Sequence, residues 1–133
     1  MNEEMRTLIR YRMERAQESL DEASLLFESG YMNTAVNRLY YACFYAVSSL
    51  LLTQNLSSSK HSGVRAMFHQ RLVRTGRIST ELGKFYDILY NNRQKGDYAD
   101  LVRFERDDIQ PWFERTRDFL SEVNKLIEKT TSL

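Results

Sequence analysis

Apolar residues recur at helical spacing in three long stretches of the chain. Ile9, Met13, Ala16, Leu20, Ala23 and Phe27 step by 4, 3, 4, 3, 4, and Val36, Tyr40, Cys43, Val47 and Leu50 step by 4, 3, 4, 3. Ile109, Phe113, Thr116, Leu120, Val123 and Ile127 repeat the first rhythm. This spacing lays one apolar stripe along each helix, and helices striped in this way pack at shallow angles. The first stretch predicts a helix over about 3–29, ended by Gly30, because a glycine adopts the left-handed C-terminal conformation cheaply. The second predicts a helix over about 33–54, beginning near Met32 or Asn33. It carries apolar residues off its stripe, at Leu39, Phe44, Leu51 and Leu52, so it either sits centrally in the bundle or meets another chain.

Shorter patterns fill the interval. Residues 55–59 read as a polar, serine-rich loop. A helix over about 60–75 would turn Val64, Met67, Phe68 and Leu72 inward and stop before Gly76. Ser79 or Thr80 would cap a helix over about 80–94, with Leu82, Phe85, Ile88 and Leu89 inward. Residues 95–104 read as irregular, with Gly96 breaking the helix between Arg93 and Asp97. Asp107 is expected to cap the last helix and, with Asp108, to favour its N-terminus electrostatically; Pro111 would fall in the first turn, where its missing N–H is harmless. The expectation is an all-α protein: an antiparallel, up-and-down bundle of four to five helices forming one domain over 1–133.

Composition narrows the function classes. Five Gly and one Pro are too few for the many turns of a sandwich or barrel. One Cys excludes an intrachain disulfide and any multi-cysteine zinc site. A net charge of +1 provides no overall pull toward nucleic acid or acidic lipid. No apolar run is long enough to span a bilayer and residues 1–15 are charged throughout, so a cytoplasmic protein without membrane contact is expected. There is no Gly-rich phosphate loop, no paired His or Cys ligand set and no serine-nucleophile signature, so neither metal nor cofactor is expected.

Four features carry candidate chemistry. Between residues 60 and 77 the chain has five bases (Lys60, Arg65, Arg71, Arg74, Arg77), two His and no acid: either an anion-binding surface or a solvated helix face. On the second helix Arg38, Tyr41 and Tyr45 share a face, while Tyr40 lies on the core stripe. An arginine there must be paired. It either stacks on the tyrosines and bonds a carboxylate of the last helix, or holds a nucleotide against them. His61, beside Lys60, has no periodic reason to be buried and is a phosphate contact, an acid/base group, a helix cap or a surface residue. His69, four residues after Arg65, reads as half of a surface pair. Finally, Arg93, Asp97 and Tyr98 cluster at a helix end, where functional groups concentrate, although an Arg93–Asp97 pair could simply pin the loop.

Arg38-x-Tyr40-Tyr41-Ala42-x-Phe44, then Lys60-His61-Ser62-Gly63-Val64, then Arg93-x-x-x-Asp97-Tyr98 together resemble the small stand-alone prokaryotic HEPN proteins, over nearly the whole chain. The resemblance implies a helical bundle that dimerises, with a cleft lined by the ends of its second to fourth helices. It also implies a nucleotide- or RNA-related role, often beside a minimal nucleotidyltransferase in a toxin–antitoxin pair. Many such proteins are metal-independent ribonucleases whose signature is Arg, four to six residues, then His. Arg93 matches the Arg, but Asp97 stands after three residues and no His follows. Arg93 would supply the cation that such cleavage needs. Asp97, from an ordinary pKa of about 3.9, is a weak base, so His61 would have to supply the imidazole.

Three functions are therefore open. The first is a module binding a nucleotide, RNA or a nucleotidyltransferase partner through Arg38, Tyr41, Lys60, Arg65 and Tyr98. The second is a ribonuclease toxin using Arg93 with His61 or Asp97. The third is a structural dimer. In some related toxins a nearby Tyr accepts a nucleotidyl group, a role that would fall to Tyr98. The approach of His61 to Arg93 bears directly on the choice.

Overall fold

A computed structural model describes residues 1–98 and 102–131, with the side chains of 94–98 left out. Asp97 and Tyr98 as site residues therefore lie outside the described side chains. The described residues form five α-helices and no strand: α1 (Glu3–Glu28), α2 (Met32–Leu52), α3 (His61–Phe68), α4 (Thr80–Tyr98) and α5 (Arg106–Thr131). None of these helices is long and apolar enough to cross a membrane.

The stripes become the core. Ile9, Ala16, Leu20 and Ala23 of α1, the whole α2 stripe, and the whole α5 stripe are buried. α2 is central and packs on each of the other four helices. Of its off-stripe residues, Leu39, Leu51 and Leu52 are buried against these neighbours, and Phe44 is half-buried.

Local signals set the helix ends. Gly30 has φ +89° and closes α1 with a Schellman pair, Tyr31 N–H to the Leu26 carbonyl at 2.8 Å and Gly30 N–H to that of Phe27 at 3.2 Å. Ser79 caps α4 by accepting from the Leu82 N–H at 3.2 Å. The Asn33 side chain pins the segment before α5 to the start of α2. Its amide donates to the Val102 carbonyl at 2.9 Å, and its oxygen accepts from the Phe104 N–H at 3.1 Å.

Three sequence expectations are corrected. α4 runs through Gly96 to Tyr98 rather than stopping near 94. A glycine inside a helix costs only about 1 kcal/mol relative to alanine, less than a continuous helix gains elsewhere. α5 begins at Arg106, so Asp107 lies within its first turn. Asp108 plays the capping role, its carboxylate accepting from the Glu105 N–H at 3.3 Å. Pro111 consequently sits in the second turn, where it removes the hydrogen bond to the Asp107 carbonyl, on an exposed face that water reaches. Finally, the third helix changes pitch: His69–Val73 form a π-helical turn, with the Arg74 N–H reaching the His69 carbonyl at 2.9 Å. This turn lies close on α4, where a Cβ at Gly83 would come within 3.0 Å of Val73 and 3.5 Å of His69.

Candidate functional site

α2, the start of α3 and the second half of α4 converge on Tyr40. Its ring is fully buried, and its hydroxyl lies 2.7 Å from Nδ1 of His61. His61 stacks on Phe44 with centroids 4.4 Å apart and meets the edge of Tyr41 at 5.7 Å. Its entry into α3 is fixed by a tight approach. The Lys60 N–H bonds Ser58 Oγ at 3.2 Å, and a Cβ at Gly63 would collide with that same oxygen. Position 63 is thus restricted by close packing.

Arg93 comes to the same ring from α4. Its guanidinium carbon lies 4.8 Å from the centroid of Tyr40 and 5.1 Å from that of Tyr90. Its Nε is buried without a hydrogen-bond partner. No carboxylate lies within ion-pair distance of it among the described residues. Burial, and secondly the charge of Arg93, hold the His61 pKa below its ordinary value, which keeps the imidazole neutral at pH 7. Burial pushes the Tyr40 hydroxyl well up, so it stays protonated.

The cluster extends to both sides. Arg65 stacks on Tyr90 at 4.7 Å and donates from Nε to Oδ1 of Asp87 at 2.7 Å. Nε2 of His69 lies 2.8 Å from that same oxygen. Burial alone would raise the Asp87 pKa, but the two hydrogen bonds outweigh it and hold the carboxyl below its ordinary range. His69 is therefore a partner of α4 rather than one half of a surface pair with Arg65. On the other side Arg38 stacks on Tyr41 at 4.7 Å. It is held flat by Asn37, whose Oδ1 accepts from Nη2 at 2.8 Å and from Nε at 3.2 Å. The carboxylate near it is Glu22 of α1 at 3.9 Å, not one of the last helix, because α1 is the helix that flanks this face. Tyr45 stays with the group, its ring 6.0 Å from that of Tyr41 and 5.8 Å from that of Phe44, and it also lies under Arg15 of α1.

The structure thus brings Arg38, Tyr41, His61, Arg65 and Arg93 into one row over an aromatic floor of Tyr40, Phe44 and Tyr90. Lys60 is exposed beside His61. The remaining bases of the basic run, Arg71, Arg74 and Arg77, are exposed beyond α3 and make no ion pair among the described residues. Among the described residues no group of three His, Cys, Asp or Glu is placed to hold a metal ion. Asp87 and Tyr86 lie outside the stretches singled out by motif and charge, and Tyr90 opens the one that carries Arg93. The 4, 3 spacing of Tyr86, Tyr90 and Arg93 is the signal that would have placed an aromatic pair beneath the arginine.

Comparison with known proteins gives a consistent picture. A HEPN domain model matches residues 9–126. The chain is 48% identical over 128 residues to a UPF0332 protein of Thermotoga maritima, covering 96% of each. Two relatives from Methanocaldococcus jannaschii are named as putative toxins. One is 32% identical over 115 residues, covering 86% of this chain and 78% of the relative. The other is 41% identical over 99 residues, 74% of each.

Proposed function

The chain belongs to the HEPN domain family, and from that premise we propose that the row around Arg93 and His61 binds the phosphate of a nucleotide or RNA strand. One observation carries the reading. Arg93 is held between two tyrosine rings with a buried, unpartnered Nε and no carboxylate in reach among the described residues. A partly desolvated guanidinium gains most from a fork of two anionic oxygens, which a phosphate supplies. Arg38 and Lys60 extend the positive row to either side, and the tyrosine faces suit stacking with bases.

The test is anisotropy of a labelled single-stranded RNA against salt. Two to four phosphate contacts at roughly 0.7 each give a log–log slope of about −1.5 to −3. Arg93→Ala should abolish binding at moderate salt. Unchanged binding by that variant, or no binding by the unaltered protein, would overturn the reading.

A second reading, metal-independent RNA cleavage, is favoured by the meeting of Arg93 and His61 at Tyr40, which supplies a cation and an imidazole together. The toxin names of two relatives point the same way. Cleavage that persists in EDTA and disappears in His61→Ala would establish it. The family resemblance supports, as further proposals, a toxin–antitoxin setting, a minimal nucleotidyltransferase partner and a homodimer. Co-purification and light scattering test the two partners.

A further inference from the structure

We infer that Tyr40 is a positioning residue that fixes the tautomer of His61, so that the imidazole presents Nε2–H as a hydrogen-bond donor beside Arg93. The inference rests on the phosphate-binding reading for its role, but its chemistry is set by the protein alone.

Tyr40 is wholly buried, so its hydroxyl proton needs an acceptor inside the protein. The acceptor in hydrogen-bond contact is Nδ1 of His61 at 2.7 Å. Tyr86 lies behind, with ring centroids 5.9 Å apart; its buried hydroxyl has no partner of good geometry, and its interaction with the Tyr40 hydroxyl raises its own pKa and lowers that of Tyr40, as a donor toward Tyr40 does, so it is not the acceptor of the Tyr40 proton. If Nδ1 carried the imidazole proton, the phenol proton of Tyr40 would be left buried with nowhere to go. The satisfied arrangement has Tyr40 donating to Nδ1 and the imidazole proton on Nε2. Nε2 has no partner among the described residues and is not one of the buried unpaired atoms, so it is open to a ligand.

The groups facing His61 reinforce this. From α2 come Tyr40, Tyr41 and Phe44, and from α4 comes the charge of Arg93; among the described residues no carboxylate is in contact with the ring. None of these described groups stabilises an imidazolium, and burial with the charge of Arg93 favours the neutral ring; a neutral ring whose Nδ1 is taken has no free lone pair. His61 and Arg93 then form a pair of donors aimed at one oxyanion. The site is suited to gripping phosphate oxygens, and His61 is not set to abstract a proton from a 2′-hydroxyl.

Long-range proton–nitrogen NMR on the unliganded protein at pH 7.5 reads the tautomer directly. We expect Nδ1 of His61 to be pyridine-like and Nε2 pyrrole-like, with Tyr40→Phe shifting the ring toward a mixture of tautomers while leaving it stacked on Phe44. An Nδ1–H form, or a mixture in the unaltered protein, would overturn the inference. Binding supplies an independent arm that does not depend on Tyr40→Phe folding. Glutamine carries an N–H donor where the ring has Nε2, so His61→Gln should keep RNA affinity within about threefold. His61→Ala should lose about tenfold, the weight of one charge-assisted hydrogen bond. Equal losses in the two variants would overturn the donor role. Failure of the unaltered protein to bind RNA would instead defeat the phosphate reading and leave the NMR assignment standing.

Discussion

Arg93 of α4 and His61 of α3 meet at a single ring: the guanidinium lies 4.8 Å above the face of Tyr40, and the imidazole is hydrogen-bonded to its hydroxyl. Two groups of opposite proton behaviour are thereby held together. One is always charged, and the other is kept neutral by burial and by its neighbour.

Replacement of Arg93 by alanine removes two ring contacts and an unpartnered Nε, but no ion pair among the described residues. Stability should fall by about 1 kcal/mol, the scale of exposed cation–π contacts, while RNA binding is lost. Arg93→Lys should restore the melting temperature more fully than the binding, since an ammonium lacks the planar fork. Urea melts beside anisotropy titrations separate the two effects.

Asp87 should behave in the opposite way. Its carboxylate joins α4 to α3 and to the π-helical turn through Arg65 and His69. Asp87→Ala should cost about 1.5–3 kcal/mol, the range for hydrogen bonds to charged groups. A double-mutant cycle with Arg65→Ala should show coupling, because both changes break one bond. Additive losses would show that the bond contributes little.

Two groups give pH dependence, with the same sign in separate windows. His61 has a folded pKa below its ordinary 6.5, so the unfolded chain binds a proton first as pH falls. Its contribution is complete above pH 6.5 and is lost as pH drops toward the folded value. Asp87 has a folded pKa below its ordinary 3.8, so its contribution is present above that value and is lost as pH falls through the folded one. Urea melts across pH should show two declines, the upper absent in His61→Ala and the lower reduced in Asp87→Asn.

Gly63 provides a packing test. A methyl group there meets Ser58 Oγ, which holds the Lys60 N–H. Gly63→Ala should therefore cost about 1 kcal/mol or more, despite alanine's better helix propensity. It should also disturb His61, three residues after Ser58. Ser58→Gly in the same chain should restore both the melting temperature and the His61 NMR shifts. Failure of that rescue would place the strain elsewhere.

The helices were readable because each stripe keeps a 4, 3 rhythm over several turns, and that rhythm has one structural solution. The ends were less readable: Gly96 signals a break that the helix absorbs, and the cap of α5 comes from Asp108 inside the helix, which bonds back to the Glu105 N–H, rather than from an acid placed before it. At the site, Arg38, Tyr41, His61, Arg65 and Arg93 could be named from motif and charge. Their partners could not. Asp87 binds residues 18 and 22 positions away, and no local pattern encodes a contact made across two packed helices. Tyr40 was hidden for a different reason. Its place on the core stripe accounts for the ring but says nothing of where the hydroxyl points.

That double role shapes how the site tolerates change. Tyr40 has no exposed surface and touches Tyr41, Phe44, His61, Tyr86 and Tyr90. A random-mutation screen for lost binding should therefore recover two populations. Changes at Arg38, His61 or Arg93 should yield soluble, well-expressed protein that no longer binds. Changes at Tyr40, other than to phenylalanine, should yield little protein at all. The first group offers variation that selection can explore, while the floor beneath it is held in place by the demands of folding.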